Sequence, residues 1–260
     1  MIRKQAAVCA ILLTVSSAFC GTAFAAPLQG TEKAAVSAES AFHVDSSRWN
    51  YDKDNDIYYQ IGLVYCKNPA ASEYESLSVY VPGAYMKGTP NADGTYTCQI
   101  SDKGMVGEYT ARTAPVIMPV NTGGYAAQKA PSSYAPKGLN TYLSQGFVYV
   151  FAGCRGRDNG TNPDGTAFDG GAPWGVTDLK AAVRYLRYND SFLPGNKDRI
   201  FTFGHSGGGA QSALMGATGD SELYRPYLDS IGALMKDDQG RELSDAIDGA
   251  MAWCPITNLT

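Results

Sequence analysis

The stretch Arg199-Ile-Phe-Thr-Phe-Gly-His-Ser-Gly-Gly-Gly-Ala-Gln-Ser-Ala-Leu-Met215 decides the fold of this chain. Its first five residues have the composition of a buried strand, and the residues after the glycines have that of a helix. Between them, Gly204-His-Ser206-Gly-Gly208 matches the G-x-S-x-G pattern of a sharp strand-to-helix turn, here called the elbow. A serine in such a turn has strained backbone, so its neighbours must lack side chains. The pattern predicts Ser206 as a nucleophile. A phosphate-binding loop is the alternative, but this turn has neither GxxxxGK[ST] nor GxGxxG.

Further apolar runs predict the rest of the sheet. The predicted strands are 57–66, 77–81, 116–120, 147–152, 199–204 and 250–256. The predicted helices are 130–145, 177–188, 207–216 and 224–235. Strands that alternate with helices indicate a mostly parallel sheet with right-handed crossovers. The sequence therefore predicts an α/β sandwich.

An acyl-transfer enzyme also needs N–H donors for the oxyanion that forms during the reaction. One donor is expected to be the N–H of Gly207, directly after the nucleophile. The loop Asn121-Thr-Gly-Gly-Tyr125 follows a predicted strand, where many esterases carry His-Gly-Gly-Gly. We expect the second donor to be the N–H of Gly123 or Gly124, with a plain turn as the alternative.

Five motifs make the likeness more specific. They are Leu77-Ser-Val-Tyr-Val-Pro82, Asn121-Thr-Gly-Gly-Tyr125, Gly153-Cys-Arg-Gly-Arg-Asp158, the elbow continued by Ala210-Gln-Ser-Ala-Leu-Met-Gly-Ala-Thr-Gly219, and Cys254-Pro-Ile-Thr-Asn-Leu259. With these motifs the chain resembles the bacterial tannases of subtype B and related serine esterases, from about residue 51 onward. The resemblance implies an α/β-hydrolase fold and hydrolysis of phenolic esters, of galloyl or feruloyl type. It also implies that no metal or organic cofactor takes part.

The triad of this fold runs along the chain in the order Ser, then Asp or Glu, then His. The sequence has two histidines, His43 and His205, and neither follows the elbow. His205 is adjacent to the nucleophile, where successive side chains point apart. Asp220 and Asp248 precede or flank the last predicted strand and are given no triad role. We therefore expect a chain truncated after its sixth strand, with the acid and the base downstream.

The first 25 residues have the pattern of a cleavable export signal. Arg3 and Lys4 precede an apolar run at 8–15, and Ala23-Phe-Ala25 is a small-x-small cleavage pattern. The run is too short to span a bilayer, which takes about 20 residues. Cys20 follows Phe19, which does not suit lipid attachment, so we expect cleavage near Ala25 and a secreted or periplasmic protein. Residues 26–45 have the composition of a linker, and 46–260 form the start of the catalytic domain.

The charge balance gives no indication of a nucleic-acid partner. The net charge is −4, and loss of the two cations in residues 1–25 would make it −6. Without a basic stripe we expect no nucleic-acid binding, and no later segment is apolar enough to span a membrane. The expected partner is a small-molecule ester.

Four cysteines follow the signal segment, Cys66, Cys98, Cys154 and Cys254. No spacing among them indicates a metal site. Cys66 and Cys98 bracket a hairpin-like stretch and either pair or stay free. The strand order 1-2-4-3-5-6, implied by the resemblance, separates Cys154 from Cys254 by roughly 14 Å, three spacings of about 4.8 Å. A disulfide spans no more than about 7 Å between Cα atoms, so this pair is expected to be unbonded.

Polar residues near the predicted site also have structural interpretations. Arg155 and Asp158 follow the fourth strand and are interpreted as a local ion pair, with substrate contact as the alternative. Asp178 is interpreted as a helix-start residue, and Trp174 as a packing residue.

Two other functions compete with a serine esterase. A prolyl-oligopeptidase-like peptidase shares the Ser-x-Gly-Gly elbow, but the sequence shows no propeller repeats. A non-catalytic binding module derived from a hydrolase fits the absence of a suitable histidine. A further Asp and His beyond residue 260 would favour the esterase over this module.

Overall fold

The computed structural model describes residues 40–158 and 171–258. The predicted signal segment 1–25 and the linker residues 26–39 lie outside the described residues. The strands are β1 (Asn50–Asp52), β2 (Ile57–Val64), β3 (Ser76–Pro82), β4 (Met86–Pro90), β5 (Tyr96–Ile100), β6 (Met105–Val106), β7 (Tyr109–Thr110), β8 (Pro115–Val120), β9 (Val148–Ala152), β10 (Asn196–His205) and β11 (Gly249–Trp253). The α-helices are α1 (Asn140–Leu143), α2 (Trp174–Tyr188), α3 (Gly207–Ala217) and α4 (Arg225–Ser230).

Seven of these strands form the central sheet, in the order β1-β2-β3-β9-β8-β10-β11. The pairs from β9 to β11 are parallel and those from β1 to β9 are antiparallel. Without β1, this is the expected order 1-2-4-3-5-6. Five of the seven strands therefore run in the same direction, and only β1 and β3 run in the opposite one. The predicted α/β-hydrolase arrangement of a mostly parallel sheet with helices is confirmed.

Burial explains why these strands lie at the centre. Every residue of β3 and of β8 is buried, as continuous apolar runs predict for strands covered on both faces. Helix α2 packs on β10 and against α3 and α4, while α3 packs on β10 and β11. Among the described residues β11 forms one edge of the sheet, and Met251 and Trp253 in it are 56% and 48% exposed.

Two predicted helices are wrong in length. The segment 130–145 contains only the four-residue α1, because Pro131 and Pro136 interrupt it and Gly138 has a φ of 84°. The segment 224–235 contains a 3₁₀ turn and the six-residue α4. Gly232, with a φ of 63°, ends that helix, and the N–H of Ala233 turns back to the carbonyl of Leu228.

Helix α2 begins at Trp174, three residues before its predicted start at Thr177. Asp178 therefore lies in the second turn of the helix and is buried. Its interpretation as a helix-start residue is wrong, because Pro173 precedes the first turn instead. Trp174 is half-buried and packs against the core, as predicted.

Additional structure appears where the sequence had no clear periodicity. The hairpins β4–β5 and β6–β7 were not predicted. Residues 40–45, assigned to the linker, contact the domain: the N–H of Val44 donates to Asn189 Oδ1 at 2.8 Å, and His43 Nε2 lies 3.0 Å from Asp238 Oδ2.

The four cysteines Cys66, Cys98, Cys154 and Cys254 are all free thiols. The possible Cys66–Cys98 bond is therefore not formed. The backbone of Cys66 instead pairs with that of Ala233 in an isolated antiparallel β-bridge, and its thiol donates to Glu75 Oε1. Cys98 belongs to the β4–β5 hairpin. Cys154 and Cys254 are unpaired, as expected.

In the ranges that the structure describes, no helix has the length and apolarity needed to cross a membrane.

Candidate active site

The strand-to-helix turn has the strained backbone that its sequence predicts. Ser206 lies between β10 and α3 with φ 58° and ψ −119°, a conformation that L-residues rarely adopt. Its N–H donates to the carbonyl of Trp253 at 2.9 Å, which fixes the turn to the end of β11. Because such strain persists only when the surroundings enforce it, this geometry indicates a functional turn.

Glycines on the helix side of the turn are sterically required. A Cβ on Gly208 would lie 1.9 Å from the carbonyl oxygen of Val120, and one on Gly207 would lie 2.3 Å from that of Thr122. The backbone of α3 therefore packs directly on the end of β8 and on the loop that follows it.

The loop after β8 brings the expected oxyanion donors beside Ser206. Gly123 and Gly124 form a 3₁₀ turn, and the position of a Cβ on Gly207 is 3.0 Å from the nitrogen of Gly124. Neither glycine N–H has an acceptor among the described residues, whereas the N–H of Tyr125 donates to Thr122. Ser206, Gly207, Gly123 and Gly124 thus lie in one cluster.

The buried side chains of Gln128 and Gln211, which were not predicted from the sequence, support this loop. Gln128 Oε1 accepts from the N–H of Asn121 at 2.5 Å, and its Nε2 donates to the carbonyls of Ala152 and Pro119. Thr122 Oγ1 donates to Gln211 Oε1 at 2.7 Å. No sequence signal marks these residues, because their partners are 7 to 89 positions away.

Arg155 pairs with Asp178 rather than with Asp158. Its backbone N–H, Nε and Nη2 donate to the Asp178 carboxylate at 2.8, 2.9 and 2.6 Å, and Nη2 lies 3.4 Å from Glu75 Oε1. Asp158 instead accepts from the N–H of Ala127. The predicted local ion pair is therefore wrong, because Arg155 points into the core while Asp158 stays at the surface.

Two carboxylates around one guanidinium are not electrically balanced, and burial shifts their pKa values. Burial, together with the charge of Asp178, raises the pKa of Glu75 to about 7. Burial also raises the pKa of Asp178, against the opposing effect of Arg155. The indole of Trp174 covers this cluster, with the guanidinium carbon of Arg155 4.4 Å from its ring centroid.

The two histidines have surroundings that do not suit a general base for Ser206. His43 stacks on Tyr188, with ring centroids 4.9 Å apart, and pairs with Asp238. His205 ends β10 with an exposed side chain. Asp220 accepts from Ser244 and from the N–H of Asp245, so its carboxylate is engaged in a loop contact.

The described residues hold no group of three or more His, Cys, Asp or Glu side chains arranged for a metal ion.

A parallel sheet with a strained serine at its strand-to-helix turn defines an α/β-hydrolase. The chain belongs to the BD-FAE family, whose model matches residues 105–260. No match was found among curated proteins.

Solved structures of tannases are similar to the chain. Fusobacterium nucleatum tannase is 37% identical over 78% of this chain, with a TM-score of 0.63. The native Lactobacillus plantarum tannin acyl hydrolase is 31% identical over 85% of this chain, with a TM-score of 0.67. A tannin acyl hydrolase in complex with ethyl gallate is 32% identical over 85%, with a TM-score of 0.68. The chain spans 38–46% of the length of these structures. The expected resemblance to bacterial tannases is confirmed.

Proposed function

We propose that this chain carries the nucleophile and the oxyanion hole of an exported serine esterase that hydrolyses phenolic carboxylic esters. The observation that carries the proposal is the strained Ser206 at the N-terminus of α3, with the free N–H of Gly124 beside Gly207. The similar tannin acyl hydrolase bound to ethyl gallate supports a galloyl ester as the substrate, and a feruloyl ester is the alternative.

The reaction proceeds through a covalent acyl-enzyme. Ser206 Oγ attacks the ester carbonyl carbon and transfers its proton to the general base. The carbonyl oxygen becomes an oxyanion, which accepts hydrogen bonds from the N–H groups of Gly207 and of Gly123 or Gly124. The tetrahedral intermediate then expels the alcohol, which takes up the proton from the base. Water attacks the acyl group by the same route and releases the acid and free Ser206.

In this proposal the base and its acid come from outside residues 40–258. His43 is engaged with Asp238, and His205 is bonded directly to the nucleophile. A histidine and a carboxylate elsewhere in the native protein would complete the triad in the chain order typical of this fold. Export depends on residues 1–25, which have the composition of a signal segment.

Hydrolysis of methyl gallate and of methyl ferulate by the native protein tests the function. Ser206→Ala is expected to lower kcat at least about 10³-fold, because the nucleophile is lost. Ser212→Ala is the matched control, since its hydroxyl is buried in the same helix and has no partner among the described residues. Binding of the esters without turnover by the unaltered protein would favour the non-catalytic module instead.

A further inference from the structure

A small cavity lies against the proposed oxyanion loop, on the flank of α3. Its volume is about 290 Å³. The lining residues used below are Gly124, Tyr125, Arg157, Gln211, Leu214 and Tyr224. Gly124 belongs both to this cavity and to the oxyanion loop, so a ligand in the cavity would adjoin the reacting ester.

The polar groups that line the cavity are mainly donors. A Cβ built on Gly124 would lie 3.3 Å from Nη2 of Arg157, so this guanidinium rests on the oxyanion loop. Arg157 has no carboxylate partner among the described residues, and no described lining residue is acidic. An arginine side chain is permanently charged and presents a planar set of donors that fits a carboxylate.

Gln211 supplies an independent indication of a ligand. Its side chain is buried and lines the cavity, and its Oε1 is occupied by Thr122 Oγ1. Its Nε2 has no acceptor among the described residues. This nitrogen is therefore a donor at the cavity wall that a ligand or a water molecule can satisfy.

We infer that this cavity, which we term the Arg157 subsite, binds a carboxylate carried by the ester substrate. The apolar walls from Tyr125, Leu214 and Tyr224 suit the ring or carbon skeleton that bears the carboxylate. This inference rests on the proposed esterase function and adds a preference to it: among the phenolic esters hydrolysed, those with a second, acidic group are favoured. The carboxylate is on either the alcohol or the acyl part of the ester.

Two matched pairs of esters, tested on the native protein, show whether the carboxylate lies on the alcohol part or on the acyl part. Chlorogenate and its methyl ester differ by a free carboxylate on the alcohol part, and monomethyl and dimethyl isophthalate differ by one on the acyl part. Arg157→Gln is expected to lower kcat/KM for the anionic member of one pair about 10- to 100-fold, and to leave the neutral member within about twofold. The pair that responds identifies the part of the ester that carries the carboxylate.

Two further variants and one control test whether the charge of Arg157, rather than its packing, favours the anionic ester. Leu214→Glu, at a half-exposed helix position, is expected to lower kcat/KM for the same anionic ester by repulsion. Arg157→Lys is expected to have an intermediate effect, because it keeps the charge and loses the planar fork. Arg48→Gln, an exposed arginine outside the subsite, is expected to change neither member of a pair.

Calorimetric titration of Ser206→Ala with isophthalate measures binding to the subsite independently of turnover. Arg157→Gln in that background is expected to weaken binding at least about 10-fold. Equal effects of Arg157→Gln on anionic and neutral esters, or unchanged isophthalate binding, would overturn the subsite. If Ser206→Ala leaves hydrolysis intact, the proposed function fails, and the isophthalate titration still decides whether the subsite exists.

Discussion

Asp178 accepts three hydrogen bonds from Arg155, which ties the second turn of α2 to the segment that follows β9. That segment in turn braces the proposed oxyanion loop. The N–H of Cys154 donates to the carbonyl of Gln128, and the N–H of Arg157 donates to that of Tyr125. The buried ion pair therefore positions the loop that holds the proposed oxyanion donors.

Asp178→Ala is expected to destabilise the fold by about 3–5 kcal/mol, because it leaves the buried guanidinium of Arg155 without its main partner. Asp158→Ala removes an exposed carboxylate that accepts one hydrogen bond, so a loss of about 1 kcal/mol is expected. Urea unfolding followed by circular dichroism measures both. Equal losses for the two variants would show that the ion pair adds no specific stability.

The raised pKa of Glu75 makes stability depend on pH. The unfolded chain releases this proton near pH 4.5, and the folded chain holds it up to about pH 7. Because the folded state binds more protons between these values, the free energy of unfolding falls as pH rises. The contribution of Glu75 is fully present below about pH 4.5 and lost above about pH 7. Asp178 and Arg155 are the charged groups that act on it, and the thiol of Cys66 contacts its Oε1.

Glu75→Gln isolates this effect, since the amide cannot ionise and still offers an acceptor to the N–H of Ala71. From pH 5 to pH 8 the wild-type chain is expected to lose on the order of 2 kcal/mol more stability than the variant. Urea titrations at the two pH values give the difference. Parallel pH profiles for the two proteins would rule out Glu75 as the titrating group.

Gly208→Ala is expected to destabilise the chain by about 3 kcal/mol or more, because its Cβ would lie 1.9 Å from a backbone oxygen that cannot easily move. Gly123→Ala is the matched control in the adjacent loop, where no atom lies within 4 Å of the added carbon. This control should fold normally and keep its N–H donor. Thermal unfolding distinguishes the two, and normal stability of Gly208→Ala would contradict the close packing of α3 on β8.

Thr122→Val replaces a hydroxyl by a methyl group of similar size and removes the hydrogen bond to Gln211. In the native protein we expect kcat for methyl gallate to fall about 10-fold with little change in KM, since the loop that carries the proposed oxyanion donors loses a constraint. Thr113→Val, at an exposed turn, is the control. An increase in KM with unchanged kcat would place Thr122 in substrate binding instead.

Local patterns were sufficient to predict the elbow and six of the seven strands of the central sheet, whereas the strand order followed from the family resemblance. Each of the six predicted strands combines a strong apolar run with turn residues at its ends. The glycines around Ser206 are needed because α3 packs closely on β8 and on the loop after it. The predicted helix 130–145 forms only over its last turn, because two prolines and Gly138 in a left-handed conformation outweigh the helical composition. The partner of Arg155 could not be predicted, since Asp178 and Glu75 reach it only through the tertiary fold.

The most direct test of the central claim is covalent labelling of the native protein with a fluorophosphonate, followed by mapping of the modified peptide. An activated serine is expected to react, and the adduct should lie on Ser206 alone. Ser206→Ala should abolish labelling, whereas Ser212→Ala should keep it. An adduct on another serine, or labelling that persists in Ser206→Ala, would contradict the assignment of Ser206 as the nucleophile.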